Sequence, residues 1–349
     1  MDSSVKDSVE RTVYFDYLRV AAAFAVMIIH VSAQNWYKTD VNGIEWWFFN
    51  FYDSLAQWGV SIFVMISGAL FLQRDIPLKQ LYSKYILRLV ISFVAWSTFY
   101  SLFEKGSTMH KISLIVQGHY HMWFILMIIG LYMCLPFIKP IIQGKKTKYF
   151  LLLSFIFAVI VPSIVKLTSD FGNEWMKKSM NAIKNITSDM NMTMVMGHVG
   201  FFALGYYLNQ ITLTRKQRII LYFLGLLGAA LTVGLDLSIA LKTQAPCSRY
   251  YDRFTINMFF VALGVHTWFK YRNYNNSKMN AFIQKLSKYS YGAYLIHVLV
   301  LNQLRRLGLD TLSFHPALSV IVIGIIVFTL SFGASALLNQ IPIVKKYLV

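Results

Sequence analysis

The most constraining feature of this sequence is an apolar segment near its start that carries two ionisable side chains. From Asp16 the chain runs through Arg19 and a mostly apolar stretch to His30. Continued to about Trp36, the segment is long enough to span a bilayer, which takes roughly 20 residues. On an α-helix Arg19 and His30 share one face, roughly 16 Å apart along the axis. Because ionisable groups inside a membrane usually line a pathway, the segment predicts a passage with an anion site at one end and a base at the other.

Both side chains also have a simpler interpretation. Arg19 is long enough to reach the lipid headgroups, and His30 fits a hydrogen-bonded histidine within a helix bundle. A cleavable signal peptide is a third interpretation of the segment, but Asp16 and Arg19 interrupt its apolar region and the segment is too long for one. The spacing alone leaves the functional and the structural interpretation open.

The composition extends the membrane assignment to the whole chain. Of 349 residues, 56% are hydrophobic and only 14% are charged, which is far from an average soluble protein. Apolar stretches between polar breaks predict an all-α fold, a polytopic transmembrane helical bundle of about ten spans that forms a single domain over 1–349. The predicted spans are 14–36, 53–73, 85–104, 119–139, 149–168, 194–210, 219–241, 253–270, 289–306 and 317–340.

The distribution of the net charge of +18 predicts the orientation of the bundle. Lys and Arg concentrate in the loops that follow the even-numbered spans, as at 74–84, 139–148 and 270–288, and such loops stay in the cytoplasm. Both termini are therefore predicted to be cytoplasmic, and the positive charge is assigned to this bias, with no nucleic-acid partner expected. The two cysteines, Cys134 and Cys247, form neither a disulfide framework nor a metal cluster, so no metal is expected.

Two segments on the opposite side carry many apolar side chains. Residues 168–193 place Trp175, Met176 and Met180 near helical spacing, which predicts an interfacial helix or a lid over an outward-facing site. The aromatic run 46–49 is typical of a belt at the membrane interface, and stacking against a sugar ring is the alternative.

Short elements found in order along the chain resemble those of the membrane-bound acyltransferase-3 family. Together they cover nearly the whole sequence. They are Asp16-x-x-Arg19 with His30, the run 60–68 ending in Ser67-Gly68, and the runs 119–124, 201–208 and 290–297. Among the branches of that family, the chain most resembles the single-domain enzymes that acetylate surface glycans, such as the enterobacterial common antigen O-acetyltransferase.

The resemblance implies an O-acyltransferase in the inner (cytoplasmic) membrane of a bacterium. It would take an acyl group, most simply acetyl, from cytoplasmic acyl-CoA and transfer it to a hydroxyl of a cell-surface polysaccharide or its lipid-linked precursor. Acetyl-CoA as the acyl donor, the glycan acceptor and membrane lipids are the expected partners. An O-succinyltransferase of the same family is one alternative, and a polysaccharide exporter without acyl-transfer chemistry is another, since intramembrane charges also mark transport pathways.

The resemblance assigns the reaction to His30. Since imidazole titrates near neutrality, His30 is predicted to act as general base on the acceptor hydroxyl, or as the nucleophile that first accepts the acyl group. The phosphates of acyl-CoA need cations at the inner mouth, and these are predicted to be Arg19, Arg88 and Lys84. Many family members have Arg-x-x-Arg here, but Tyr85 takes the first arginine position and Lys84 lacks the guanidinium fork. Arg88 and Lys84 fit equally well as anchors on the cytoplasmic side.

Other side chains are predicted to support the site, each with a structural alternative. Asp16 pairs with Arg19 on one helix face or stabilises the helix N-terminus. Ser67 lies before Gly68 and contributes to the site or to close helix packing. The remaining candidates are His121 and Trp123 for substrate orientation, Tyr294 and His297 on one face of the ninth span, and Arg305 and Arg306 for an anionic acceptor, with belt, bundle-packing and snorkelling roles as their respective alternatives.

Overall fold

The computed structural model describes residues 12–190 and 192–349, and every regular element in those two ranges is helical. Wide helical turns at Leu81–Ile86 and Ile156–Ile160 lie within longer helices, and short 3-10 turns lie at Tyr120–Met122 and Arg249–Tyr251. The α-helices are α1 (Val13–Trp36), α2 (Ile44–Ala56), α3 (Trp58–Leu72), α4 (Leu78–Gln80), α5 (Leu87–Phe103), α6 (Thr108–Gln117), α7 (Trp123–Gln143), α8 (Thr147–Phe155), α9 (Val161–Phe171), α10 (Glu174–Asp189), α11 (Met192–Gln210), α12 (Arg215–Thr243), α13 (Ile256–Lys270), α14 (Ser277–Arg306), α15 (Pro316–Leu338) and α16 (Pro342–Tyr347).

The predicted all-α membrane fold is confirmed. Within the described residues, 7 helical stretches are long and apolar enough to cross a membrane. Helices also occupy the other three predicted spans, 194–210, 253–270 and 289–306, but these helices are not among the 7 stretches. Among them, α13 has only 15 residues and α14 begins with several polar residues. A count of ten spans and the cytoplasmic location of both termini therefore stay predictions.

The second predicted span starts earlier than the sequence indicated. Helical structure runs from Ile44 to Leu72 with a break at Gln57, so the aromatic run 46–49 lies inside α2. The side chains of Trp46 and Phe49 are fully buried. The expectation of an interfacial belt is therefore wrong for these two residues, because a spacing of three on a helix places both on the face that packs against the bundle.

Helix α1 lies at the centre of the bundle. It packs against α2, α3, α13, α14 and α15, and Leu18, Ala22 and Val31 are fully buried along it. Its alanines permit close approach, since a Cβ added at Gly59 of α3 would lie 2.9 Å from the carbonyl oxygen of Ala22. The polar side chains of α1 therefore project among other helices of the protein.

Two of the family-like elements pack directly on each other. Gly68 of α3 faces the backbone of Phe202 in α11, and Gly205 of α11 faces the backbone of Met65 in α3. A Cβ at either glycine would overlap the opposing carbonyl oxygen. Small residues at both crossing points bring the two backbones into contact, which is how membrane helices gain packing energy.

The segment 168–193 contains the expected amphipathic helix. Asn173 caps α10 by accepting a hydrogen bond from the backbone N–H of Met176 at 2.9 Å. Trp175, Met176 and Ile186 are exposed on its surface, as an interfacial helix requires.

The glycine contacts predict opposite effects of two alanine substitutions. Gly205→Ala should lower the stability of the detergent-purified protein by about 1–3 kcal/mol, because the added Cβ forces α3 and α11 apart. Gly234→Ala in α12 should leave stability unchanged or raise it, since no atom lies within 4 Å of the added Cβ. Thermal unfolding measures both, and equal melting temperatures for the two variants would contradict the close approach of α3 and α11.

Candidate active site

The bundle encloses two adjoining cavities. The histidine cavity, of about 210 Å³, is lined by His30, His121, Trp123 and Tyr294 and extends to Arg19. The basic cavity, of about 330 Å³, lies toward the end of the bundle where α1 begins. The two cavities share part of their lining, and we interpret them as one passage; the shared residues are Arg19, Leu89, Tyr132, Ser290 and Tyr291.

Arg19 and His30 both face the histidine cavity, as their helical spacing predicts. The expected pair between Asp16 and Arg19 is present, with 3.4 Å between Oδ1 and Nη1. Asp16 is buried, and the same Nη1 lies 3.4 Å from Oγ of Ser287 in α14. A guanidinium held by a carboxylate and a hydroxyl can lie at the side of an apolar passage at a much lower cost than one without partners.

Histidines from three separate parts of the chain meet at the far end of the passage. The ring of His30 lies 5.0 Å from that of His297 and 6.5 Å from that of His121, measured between centroids. Nδ1 of His119 lies 2.8 Å from Nδ1 of His121, so one of these two nitrogens donates a hydrogen bond to the other. His297 is fully buried behind His30 and does not line the cavity.

Tyr294 on α14 contacts two of these histidines, one on its own helix and one in the segment before α7. Its hydroxyl donates to the carbonyl oxygen of His121 at 2.5 Å, and Nδ1 of His297 lies 2.5 Å from the carbonyl oxygen of Tyr294. Nε2 of His121 and Nε2 of His297 are buried with no hydrogen-bond partner in the described part of the chain. Unpartnered buried nitrogens of this kind call for a physical explanation, and contact with a bound ligand would provide one.

The cluster carries no indication of a metal. Among residues 12–190 and 192–349, no three His, Cys, Asp or Glu side chains are arranged to hold a metal ion. The cavity around the histidines is instead lined largely by apolar and aromatic side chains such as Val60, Phe63 and Ile128.

The basic cavity differs in part from its predicted composition. Arg88 lines it and donates from Nη2 to the main-chain oxygen of Val349 at 2.6 Å. Lys84 lines neither cavity, and its Nζ lies 5.6 Å from the ring centroid of Tyr85. The structure therefore does not bring Lys84 to the space that Arg19 and Arg88 share. Because Leu81–Ile86 is a wide helical turn, α-helical spacing does not carry Lys84 to the face of Arg88.

Sequence reasoning missed Lys288, which lines the basic cavity together with Ser287 and Tyr291. The predicted ninth span began at 289, so Lys288 was placed in a loop, whereas α14 begins at Ser277. A signal was present, because Lys288 lies three residues before Tyr291, and residues three apart are neighbours on a helix surface. Tyr85, which stands where the family has arginine, also lines this cavity, so Lys288 supplies a cation to the same space.

The other predicted site residues divide into two groups. Ser67 and Trp123 line the histidine cavity. Arg305 and Arg306 are exposed at the end of α14 and line neither cavity, so the structure does not bring them to the site. No described residue of 168–193 lines the cavity of His30, so α10 does not cover it as a lid.

A second group missed by the sequence lies at the mouth beside Trp123. The guanidinium carbon of Arg253, in the loop between α12 and α13, lies 4.5 Å from the ring centroid of Trp123. Nη1 of Arg253 lies 3.3 Å from Nε2 of His198 on α11. Burial lowers the pKa of Arg253, and the neighbouring Asp252 offsets this only in part. A cation is therefore partly desolvated at this mouth.

These features define a membrane-embedded helical protein with a passage that runs from cations at one end to histidines at the other. Comparison with protein families gives a match to the model described as "Acyltransferase domain" over residues 12–338. The chain therefore belongs to the membrane acyltransferase-3 family. No curated protein and no solved structure matches it. Membership supports a membrane acyltransferase, whereas the resemblance to the common-antigen branch stays a prediction.

The lining that the two cavities share predicts which buried serine position a water-soluble thiol reagent can reach. In a Cys134→Ser/Cys247→Ser background, Ser290→Cys should react with a charged methanethiosulfonate, because Ser290 lines both cavities. Ser331→Cys in α15 should stay unreactive, since Ser331 is fully buried and lines neither cavity. Mass spectrometry of the intact folded protein counts the modified thiols. Equal protection of both thiols would contradict a continuous passage.

Proposed function

We propose that this protein is an O-acyltransferase that moves an acyl group, most simply acetyl, from acyl-CoA to a hydroxyl of a surface polysaccharide or its lipid-linked precursor. The observation that carries the proposal is the passage that joins the basic cavity to His30. A donor with several phosphates and a neutral thioester arm fits a space that is cationic at its entrance and apolar further along.

The donor would bind with its phosphates in the basic cavity. Arg88 and Lys288 line the outer part of this cavity, and Arg19 stands where the two cavities meet. The thioester arm would then pass Leu89 and Ser290 toward His30. Asp16 keeps the Arg19 guanidinium oriented for this contact through the ion pair described above.

His30 would remove the proton from the acceptor hydroxyl while the hydroxyl oxygen attacks the thioester carbonyl. A carbon–oxygen bond forms, the carbon–sulfur bond breaks, and the proton passes from the imidazole to the sulfur of CoA. His297 packs against His30 and orients its ring, with Tyr294 behind it. The route in which His30 first accepts the acyl group uses the same contacts.

The orientation of the reaction follows from the donor. Acyl-CoA is a cytoplasmic metabolite, so the basic cavity would face the cytoplasm and the histidine cluster would meet the acceptor from the other side. The Lys- and Arg-rich loops lie at the end of the bundle where α1 begins, which supports this orientation. The location proposed is the cytoplasmic membrane of a bacterium.

A polysaccharide exporter is a second candidate, because a passage with polar side chains inside a membrane bundle also suits transport. Export of unmodified glycan that continues without any acyl-CoA would favour it. Mass analysis of the modified glycan would distinguish acetyl from succinyl transfer.

Replacing the proposed base should abolish the reaction. With acetyl-CoA and a crude acceptor glycan, His30→Ala should lower CoA release by about 100-fold or more, the usual contribution of a positioned acid–base group. His266→Ala is the matched control, because His266 is also a buried helix histidine but lines neither cavity. Full activity of folded His30→Ala protein would rule out this role for His30.

A second pair of variants examines the donor site. Lys288→Gln should raise KM for acetyl-CoA by about 10-fold with little change in kcat, because a charge-assisted contact to phosphate is lost. Lys285→Gln, one turn earlier on α14 and outside both cavities, should behave as the wild type. If KM responds equally to both substitutions, the basic cavity does not hold the phosphates.

A further inference from the structure

The loop between α12 and α13 fixes a guanidinium at the mouth of the histidine cavity. Arg253 stacks on one face of Trp123, and Trp123 lines the cavity that contains His30. Arg253 is therefore separated from that cavity by a single side chain. Trp123 is also 38% exposed, so it is only partly covered by the rest of the bundle.

Two neighbouring ion pairs hold this loop in place. Nζ of Lys166 on α9 lies 2.5 Å from Oδ2 of Asp252, and Arg249 pairs with Asp170 at the end of the same helix. The position of Arg253 is thus set by two anchored residues that come just before it in the chain. A fixed cation loses little conformational entropy when it binds a ligand, which favours recognition.

Arg253 differs from these two cations because it has no carboxylate partner. In the part of the chain that the structure describes, no carboxylate oxygen lies within the 4.0 Å that defines an ion pair with Arg253. Its neighbour is His198, whose Nε2 must accept the hydrogen bond because guanidinium is always protonated. His198 is therefore neutral in this contact and does not compensate the charge of Arg253.

A partly buried cation whose charge is offset only in part by Asp252 is unfavourable, and an anionic ligand would lower that cost. Nη1 of Arg253 contacts His198, whereas its Nε and Nη2 form no hydrogen bond with any other residue that the structure describes. That edge of the guanidinium has the geometry to donate two parallel hydrogen bonds to a carboxylate or a phosphate. The exposed Trp123 ring beside it offers a flat apolar surface of the kind against which a sugar ring packs.

We propose that Arg253, Trp123 and His198 form an acceptor subsite that binds an anionic group of the glycan, a carboxylate or a phosphate, and thereby directs a neighbouring hydroxyl to His30. The assignment rests on the proposed acyl transfer and names an acidic saccharide as its acceptor class. It takes the place of the acceptor role that the sequence predicted for Arg305 and Arg306. Arg253 acts here as a binding residue, and the reaction itself stays with His30.

Binding without an acyl donor tests the subsite directly. Saturation-transfer NMR on purified protein in nanodiscs should give a Kd for methyl glucuronide about 10-fold lower than for methyl glucoside, which differs only in having a neutral group in place of the carboxylate. Glucose 1-phosphate serves as the phosphate arm of the experiment. The arm with the tighter binding identifies whether carboxylate or phosphate is the preferred anion.

Arg253→Gln should remove the preference for the charged sugars, whereas Arg253→Lys should keep part of it. Lys242→Gln is the control, because Lys242 is an exposed cation at the same end of the bundle and lines neither cavity. Wild-type protein provides a readout that needs no variant, since high ionic strength should weaken binding of the charged sugars and leave methyl glucoside unaffected.

Equal binding of charged and neutral sugars by the wild type would overturn the subsite. So would an unchanged preference in folded Arg253→Gln protein, or its loss only in an Arg305→Gln/Arg306→Gln variant. The outcome is separable from the proposed function. A charge preference that depends on Arg253 in a protein that releases no CoA from acetyl-CoA would support the subsite and refute transfer of acetyl from that donor.

Discussion

The cost of placing ionisable side chains in a membrane-crossing helix governs the arrangement of this protein. Arg19 and His30 lie on the first membrane helix, where lipid would not solvate either group. The bundle meets this requirement by surrounding α1 with five other helices, so that both side chains project into protein-lined space. Asp16 and Ser287 then provide polar partners for the guanidinium. Because α1 lies at the centre of the bundle, its polar side chains line the passage and do not face lipid.

The close contact between α3 and α11 supports this centre from one side. Gly68 and Gly205 let the two backbones touch, which holds α3 and therefore Ser67 against the passage. Two family-like elements that are far apart in sequence, 60–68 and 201–208, therefore pack against each other in the fold. On the other side, α14 contributes both Ser290 at the junction of the cavities and Tyr294 at the histidine cluster.

The two ends of the passage suit ligands of different chemistry. At the basic cavity, Arg88 and Lys288 stand around an open space, which fits a mobile, highly charged donor. At the other mouth, Arg253 stacks on Trp123 and belongs to a loop that ion pairs anchor. His30 lies between these two environments, where a thioester from one side and a hydroxyl from the other would meet.

Local periodicity determined much of this protein from sequence alone. The apolar runs identify an all-helical membrane protein, and a spacing of eleven residues places Arg19 and His30 on one face of α1. Contacts between distant helices are not encoded in such a pattern. Only the tertiary structure brings His297 against His30, turns Lys288 toward the basic cavity, leaves Lys84 outside it and stacks Arg253 on Trp123. These four placements depend on helix length, on a wide turn and on which helices pack together. Side chains far away in the chain decide those properties, so a local pattern does not predict them.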